Sequence, residues 1–159
     1  MKYLFDTNIF IRSKYEMPIE LWPTFWLRIA DLISRGLITS SVKVQEEINR
    51  GNDELTDWMR KYAASDFYID IDAAIMQKYM EVQRWANNMG FTQSAKEEFA
   101  SVADPYLVAT AAAKGMTLVT YETSNPMCRK RVKIPDACMA MGVSFCDLNT
   151  AFRELGVTI

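Results

Sequence analysis

Short apolar runs alternate with segments whose apolar residues recur every three or four positions, and this alternation constrains the fold more than any other feature of the sequence. Residues 2–5, 37–39, 67–71, 117–120 and 143–145 read as strands. Ile19, Trp22, Trp26, Ile29 and Ile33 mark one apolar face of a helix over residues 19–35, which Gly36 ends. Val44, Ile48 and Leu55 are the inward positions of a helix capped by Ser40 or Ser41 and broken or kinked at Gly51. Asp72 opens a long helix through Ile75, Tyr79, Val82 and Trp85 to Gly90. Asp104-Pro105 starts another through Ala113, Pro135-Asp136 a short one, and Asp147 a last one. The triplet Asp6-Thr7-Asn8 suits a turn after the first strand. The prediction is an α/β fold in one domain spanning residues 1–159, with a central parallel sheet of about four to five short strands flanked by helices.

What the chain lacks narrows its chemistry. With no histidine, Ser-His-Asp and Cys-His hydrolysis and the histidine acid–base pair of metal-free ribonucleases are excluded. Cys128, Cys138 and Cys146 form no C-x-x-C pair, so they read as reduced thiols rather than a zinc site. No apolar run reaches membrane-spanning length, and the three-residue run before Asp6 is too short for a secretory signal, so the expected location is cytoplasmic. Hydrolysis must then run on carboxylates, hydroxyls, lysine or a metal. The formal charge of −2 argues against a general nucleic-acid binder and requires any such contact to be a local basic patch.

In a parallel α/β sheet, ligands bind outside the carboxyl ends of the strands. Asp6, Glu47, Asp104 and Glu122 all fall at such positions. Each also has a structural reading: Asp6 and Asn8 as turn residues, Glu46 and Glu47 as a solvated helix face, Asp104 as an N-cap, Glu122 as an exposed loop acid. Gathered together they would repel one another unless a divalent cation were present, and an all-oxygen set without histidine or cysteine suits magnesium. Asp136 after Pro135 reads as an N-cap. Trp22, Trp26, Trp58 and Trp85 lie at apolar helical phase and read mostly as core.

Four segments carry a resemblance. They are 4–11 (LFDTNIFI), 38–40 (ITS) leading to Glu46-Glu47-Ile48, 103–111 (ADPYLVATA), and Leu118-Val119-Thr120 ahead of Glu122. In this order they resemble the PIN-domain superfamily, which includes ribonuclease toxins of bacterial toxin–antitoxin pairs. A closer likeness, to an uncharacterised branch of that superfamily, adds the helix around Trp26, the stretch 47–55 with Trp58, and the segment 133–138. The resemblance implies a metal-dependent endoribonuclease using Mg2+ or Mn2+. It makes Asp6, Glu47, Asp104 and Glu122 the catalytic and metal-site acids, and Asn8 and Thr120 their supports. Glu47 is favoured over Glu46 because the family's glutamate immediately precedes an aliphatic residue. Aspartate is frequent in the family where Glu122 stands. Arg129, Lys130, Arg131 and Lys133, near Glu122 in the chain, are candidates for gripping RNA phosphates, against the alternative of a solvated basic loop. RNA and a cognate antitoxin protein are the implied partners, and a homodimer is left open. An antitoxin would dock on the helix bearing Trp22, Phe25 and Trp26, or insert an arginine into the acidic crevice. The rival reading is a catalytically silent PIN-like module that binds RNA or protein. A receiver domain or an aspartyl phosphatase fits less well: the first needs an early acidic pair, the second an aspartate where Asn8 stands.

Overall fold

Tyr3, Leu4 and Phe5 form β1 (Tyr3–Phe5), the middle strand of the sheet in the computed structural model, which describes residues 2–159. All three are buried, as a strand covered by helices on both faces requires. β1 lies between β2 (Ile38–Ser41) and β4 (Thr117–Val119), and the edges are β3 (Tyr68–Ile69) and β5 (Phe145–Cys146). The order is β3-β2-β1-β4-β5 and every pairing is parallel, with Leu4 opposite both Thr39 and Leu118. The chain leaves β1 toward one edge and later returns to its other side, so the topological switch point lies between β1 and β4. Asp6 follows β1 and Glu122 follows β4, which puts both at that crevice.

Nine α-helices of the described residues connect the strands: α1 (Thr7–Glu16), α2 (Pro23–Ser34), α3 (Val42–Gly51), α4 (Glu54–Tyr62), α5 (Ala73–Asn88), α6 (Gln93–Ser101), α7 (Asp104–Lys114), α8 (Ile134–Ala140) and α9 (Leu148–Leu155). The α/β parallel architecture expected from the sequence is the one observed. Three local expectations are corrected. The turn assigned to Asp6-Thr7-Asn8 is the start of α1, with Asp6 at the N-cap position; Ile9 and Phe10, both buried, draw the chain straight into a helix. The single helix assigned to residues 19–35 begins only at Pro23. The Leu21 and Trp22 amides close a turn on the Pro18 carbonyl, and proline then takes the first helical position, where its missing N–H costs nothing. α6, a helix beyond those expected, carries little periodic signal because it buries only Ala95 and Phe99. The Thr92 hydroxyl, accepting from the Ala95 amide, fixes its start.

The tryptophans divide. Trp26 and Trp58 are buried and meet edge to face at 5.1 Å, and the Trp26 indole N–H donates to the Met17 carbonyl at 2.7 Å. Trp85 is half-buried against Phe91, whereas Trp22 is exposed. Phe25 and Trp26 are each 2 % exposed, so they cannot form the partner-docking face proposed for them from the sequence.

α3 brings Glu47 to the site, and its start is fixed by Ser41, whose fully buried hydroxyl accepts from the Lys43 amide at 3.1 Å. Ser41→Ala is expected to lower stability by about 1 kcal/mol. A urea midpoint shifted downward at unchanged slope would show it, and an unshifted midpoint would remove the cap from the account.

Candidate active site

The centre of the site is Asp6, 2 % exposed at the end of β1. The Thr120 hydroxyl donates to its carboxylate at 3.0 Å while accepting from the Glu122 amide at 3.1 Å. Thr120 thus ties the end of β4 to the end of β1 and orients both acids. Burial is the main reason the Asp6 carboxyl is pushed up to about 7. The charges of Glu122 and Glu47 add to it, and the Thr120 hydrogen bond opposes it.

Asp104 faces the same crevice from α7. The N-cap role that its position before Pro105 suggests is not the one it plays. Ala103 stands at the N-cap, Asp104 is the first helical residue, and no side chain caps this helix. The Asp104 carboxyl is pushed up to about 8, by burial first and then by Asp6, Glu122 and Glu47, with Arg131 opposing. Asp104 therefore feels the other three acids of the set and Asp6 feels both glutamates.

The α3 helix turns Glu47 inward and Glu46 outward. Glu47 is half-buried and accepts from the Thr7 hydroxyl at 3.0 Å and the Ala103 amide at 3.3 Å. Glu46 is exposed, 3.8 Å from the Lys43 ammonium. Glu122 has a side chain only 12 % exposed and accepts from Arg131 at 3.2 Å and from the Ile134 amide at 2.9 Å. Among the described residues no three acidic or cysteine side chains are already disposed as the ligands of one ion. The hydrogen bonds just described hold Glu47 and Glu122 to protein donors instead.

Other expected residues fall differently. Asn8 is exposed, and none of the hydrogen bonds among the site acids involves it; Thr7, one position earlier, supplies the supporting hydroxyl. A helix beginning at Thr7 turns Thr7 inward and Asn8 outward, which a turn reading obscured. Of the four basic candidates, Arg131 reaches the acids. Arg129 donates to the Pro126 carbonyl at 2.8 Å and lies 5.7 Å from the Phe91 ring, Lys130 is exposed, and Lys133 is at the N-cap position of α8. Asp136 is not an N-cap. It sits in the first turn of α8 and accepts from the Ser124 hydroxyl and the Asn125 amide, pinning the loop after Glu122. Cys138, fully buried, had no sequence signal connecting it to the site. Burial, Glu122 and Asp6, in that order, push its thiol up to about 12, which marks it as an inert thiol beneath the acids.

Solved structures share this fold. VapBC2 from Rickettsia felis, bound to a DNA fragment from their promoter, aligns with 92 % of this chain and 98 % of its own at a TM-score of 0.57 and 17 % identity. FitAB bound to an IR36 DNA fragment aligns over 91 % and 94 % at 0.55 and 18 %, and FitAcB from Neisseria gonorrhoeae over 90 % and 95 % at 0.53 and 19 %. At such identities the likeness establishes the fold, and the fold is the PIN-like one that the motifs imply. No curated protein matches the sequence. Residues 3–159 match the family model described as a domain of unknown function, DUF4411, and the chain belongs to that family.

Proposed function

We propose that this protein is a metal-dependent endoribonuclease, the toxin of a toxin–antitoxin pair, hydrolysing RNA phosphodiesters at the crevice formed by Asp6, Glu47, Asp104 and Glu122. The observation that carries the reading is the crowding of these acids at the switch point of a parallel sheet, with two of them pushed up to about 7 and about 8. Acids so placed are satisfied only by protons or by a cation, and functional sites are where such perturbation concentrates. The donor set is hard oxygen throughout, with carboxylates partly engaged by protein donors. This fits Mg2+ or Mn2+, which keep several waters and need few direct protein ligands. Asp6 and Asp104 would hold the ion most directly, with Glu47 and Glu122 behind them through water.

When bound, the cation lowers the pKa of a water and offsets charge growing on the phosphate oxygens. The chain's own residues do the rest. Thr120 and Thr7 fix the Asp6 and Glu47 carboxylates, so that little reorganisation is needed during reaction. Asp104, ionised once a cation is bound among these acids, would orient an attacking water and accept its proton. Support for a toxin role comes from the motif resemblance and from the fold shared with the VapBC2 and FitAB complexes. An antitoxin arginine entering the crevice would compete with the cation for the same carboxylates.

The silent-module reading has one observation in its favour, the engagement of Glu122 by Arg131 and the Ile134 amide. Cleavage of a mixed RNA panel with and without Mg2+ and Mn2+ separates the two. Within that assay Glu47→Gln is expected to lose about 10–100-fold and Glu46→Gln to change little. The reverse order would place the wrong glutamate in the site.

A further inference from the structure

Four carboxylates repel an incoming polyanion, so a nuclease of this kind needs cations placed to receive RNA beside its acids. The basic loop supplies few, because Arg131 is paired with Glu122 and Arg129 is turned to the Pro126 carbonyl. The other flank is equipped differently. A polar cleft of about 190 Å³ lies between α3 and the turn leading into α7; two acids, Glu46 and Glu47, line it together with Lys43, Arg50, Ser101 and Tyr106. Glu47 is common to this cleft and to the acidic site. Lys43, Glu47 and Arg50, four and three positions apart, lie on one face of α3.

The two cations are presented in different ways. The Lys43 ammonium lies 4.8 Å from the centroid of the Tyr106 ring, which is itself stacked on Tyr79 of α5 at 4.3 Å. An aromatic pair anchored on two helices holds this lysine at the cleft. Its ion-pair partner is the exposed Glu46 at 3.8 Å, a contact of little strength that an RNA phosphate readily replaces. Arg50 is exposed and, among the described residues, in no ion pair. The cleft is smaller than the ~300–1,000 Å³ of small-molecule pockets. It suits a phosphate better than a base, since the Tyr106 ring is already engaged by Tyr79 and Lys43.

We propose that this cleft is the subsite for the RNA phosphate next to the one that is cut, with Lys43 and Arg50 gripping it and Tyr106 positioning Lys43. The proposal rests on the nuclease reading above. The test uses a fluorescein-labelled single-stranded RNA 12-mer of mixed sequence in Mg2+, with Asp104→Asn protein so that the RNA stays intact. Lys43→Gln and Arg50→Gln are added singly and together, and binding is followed across a salt series.

The double variant is expected to bind about tenfold more weakly near 0.1 M salt, and its slope of log affinity against log salt to be shallower by about 1.4, roughly 0.7 per lost phosphate contact. Arg35→Gln is the control, removing one exposed charge ahead of β2, at the amino end of a strand whose carboxyl end leads into α3. It is expected to leave the slope unchanged. An unchanged affinity and slope in the double variant, or an equal loss in Arg35→Gln, overturns the subsite. With Asp104 intact, a raised KM at constant kcat supports it. Cleavage with unaltered KM in the double variant defeats the subsite and leaves the nuclease standing. Absence of cleavage by the unmodified protein, with charge-dependent binding retained, defeats the nuclease reading and leaves the cleft as an RNA-binding site.

Discussion

Asp104→Asn is expected to lower RNA cleavage by about 10²–10³-fold or more while raising the stability of the metal-free protein. Both effects follow from where Asp104 sits. Asp104 is held at the start of α7 without serving as its cap, in a buried place where Asp6, Glu122 and Glu47 oppose its ionisation. Near neutral pH the folded chain must therefore either keep a proton on this acid or bear a charge among like charges. Asparagine has nearly the same shape and carries no charge, so the repulsion is lost with little change in packing. A gain of about 1–3 kcal/mol is expected in EDTA at pH 7.5, given about 1.4 kcal/mol per unit of displacement and some relaxation around the site. For a chain of this size that corresponds to a rise of about 2–10 °C in the thermal midpoint. On the proposed mechanism activity falls because the substitution removes an oxygen that would hold the cation and accept the proton of the attacking water. A purified Asp104→Asn protein with full activity would eliminate the proposed site. Lost activity with lowered stability would assign Asp104 to the architecture of the α7 start.

Much of this arrangement is legible in the sequence, for reasons that differ by residue. β1 and β4 are short apolar runs ending at Asp6 and just before Thr120 and Glu122, and in a parallel sheet such ends share an edge whatever the details of packing. Glu47 is readable because Val44 and Ile48 set the phase of α3 and leave position 47 turned partly inward. Thr7 and Asn8 were not separable, because their roles depend on whether residue 7 belongs to a turn or to a helix, a one-residue question that local propensity does not answer. Trp22 and Trp26 share an apolar phase, yet Pro23 starts the helix between them and leaves only Trp26 facing the core. The partners of Glu122 and the place of Cys138 depend on how the chain from 123 to 133 folds back. No periodicity governs that segment.

The cluster also predicts how stability should vary with pH. Asp6 and Asp104 are pushed up from 3.8 to about 7 and about 8, so between about pH 4 and pH 8 the folded chain holds more protons at these sites than the unfolded chain does. Unfolding then releases protons, and stability falls as pH rises through this window. Below pH 4 both states are protonated there and the dependence ends. At the acid end Asp53, Asp72 and Asp147, all held below the usual carboxylate range by side-chain hydrogen bonds to Lys14, Lys114 and Thr150 respectively, begin to lose their own contribution. The comparison that isolates the cluster is therefore pH 5 against pH 8.5, in EDTA, with a higher urea midpoint expected at pH 5. Adding Mg2+ or Mn2+ at pH 8.5 should reverse the loss, because a cation that binds only the folded state adds about 2.7 kcal/mol at a hundred times its Kd. Asp6→Asn should flatten the pH dependence and weaken the response to metal together, since one crowded ring of charge produces both. If the midpoint were the same at both pH values but still rose with Mg2+, the cation would be binding outside this ring, and Asp6 and Asp104 would cease to be its ligands.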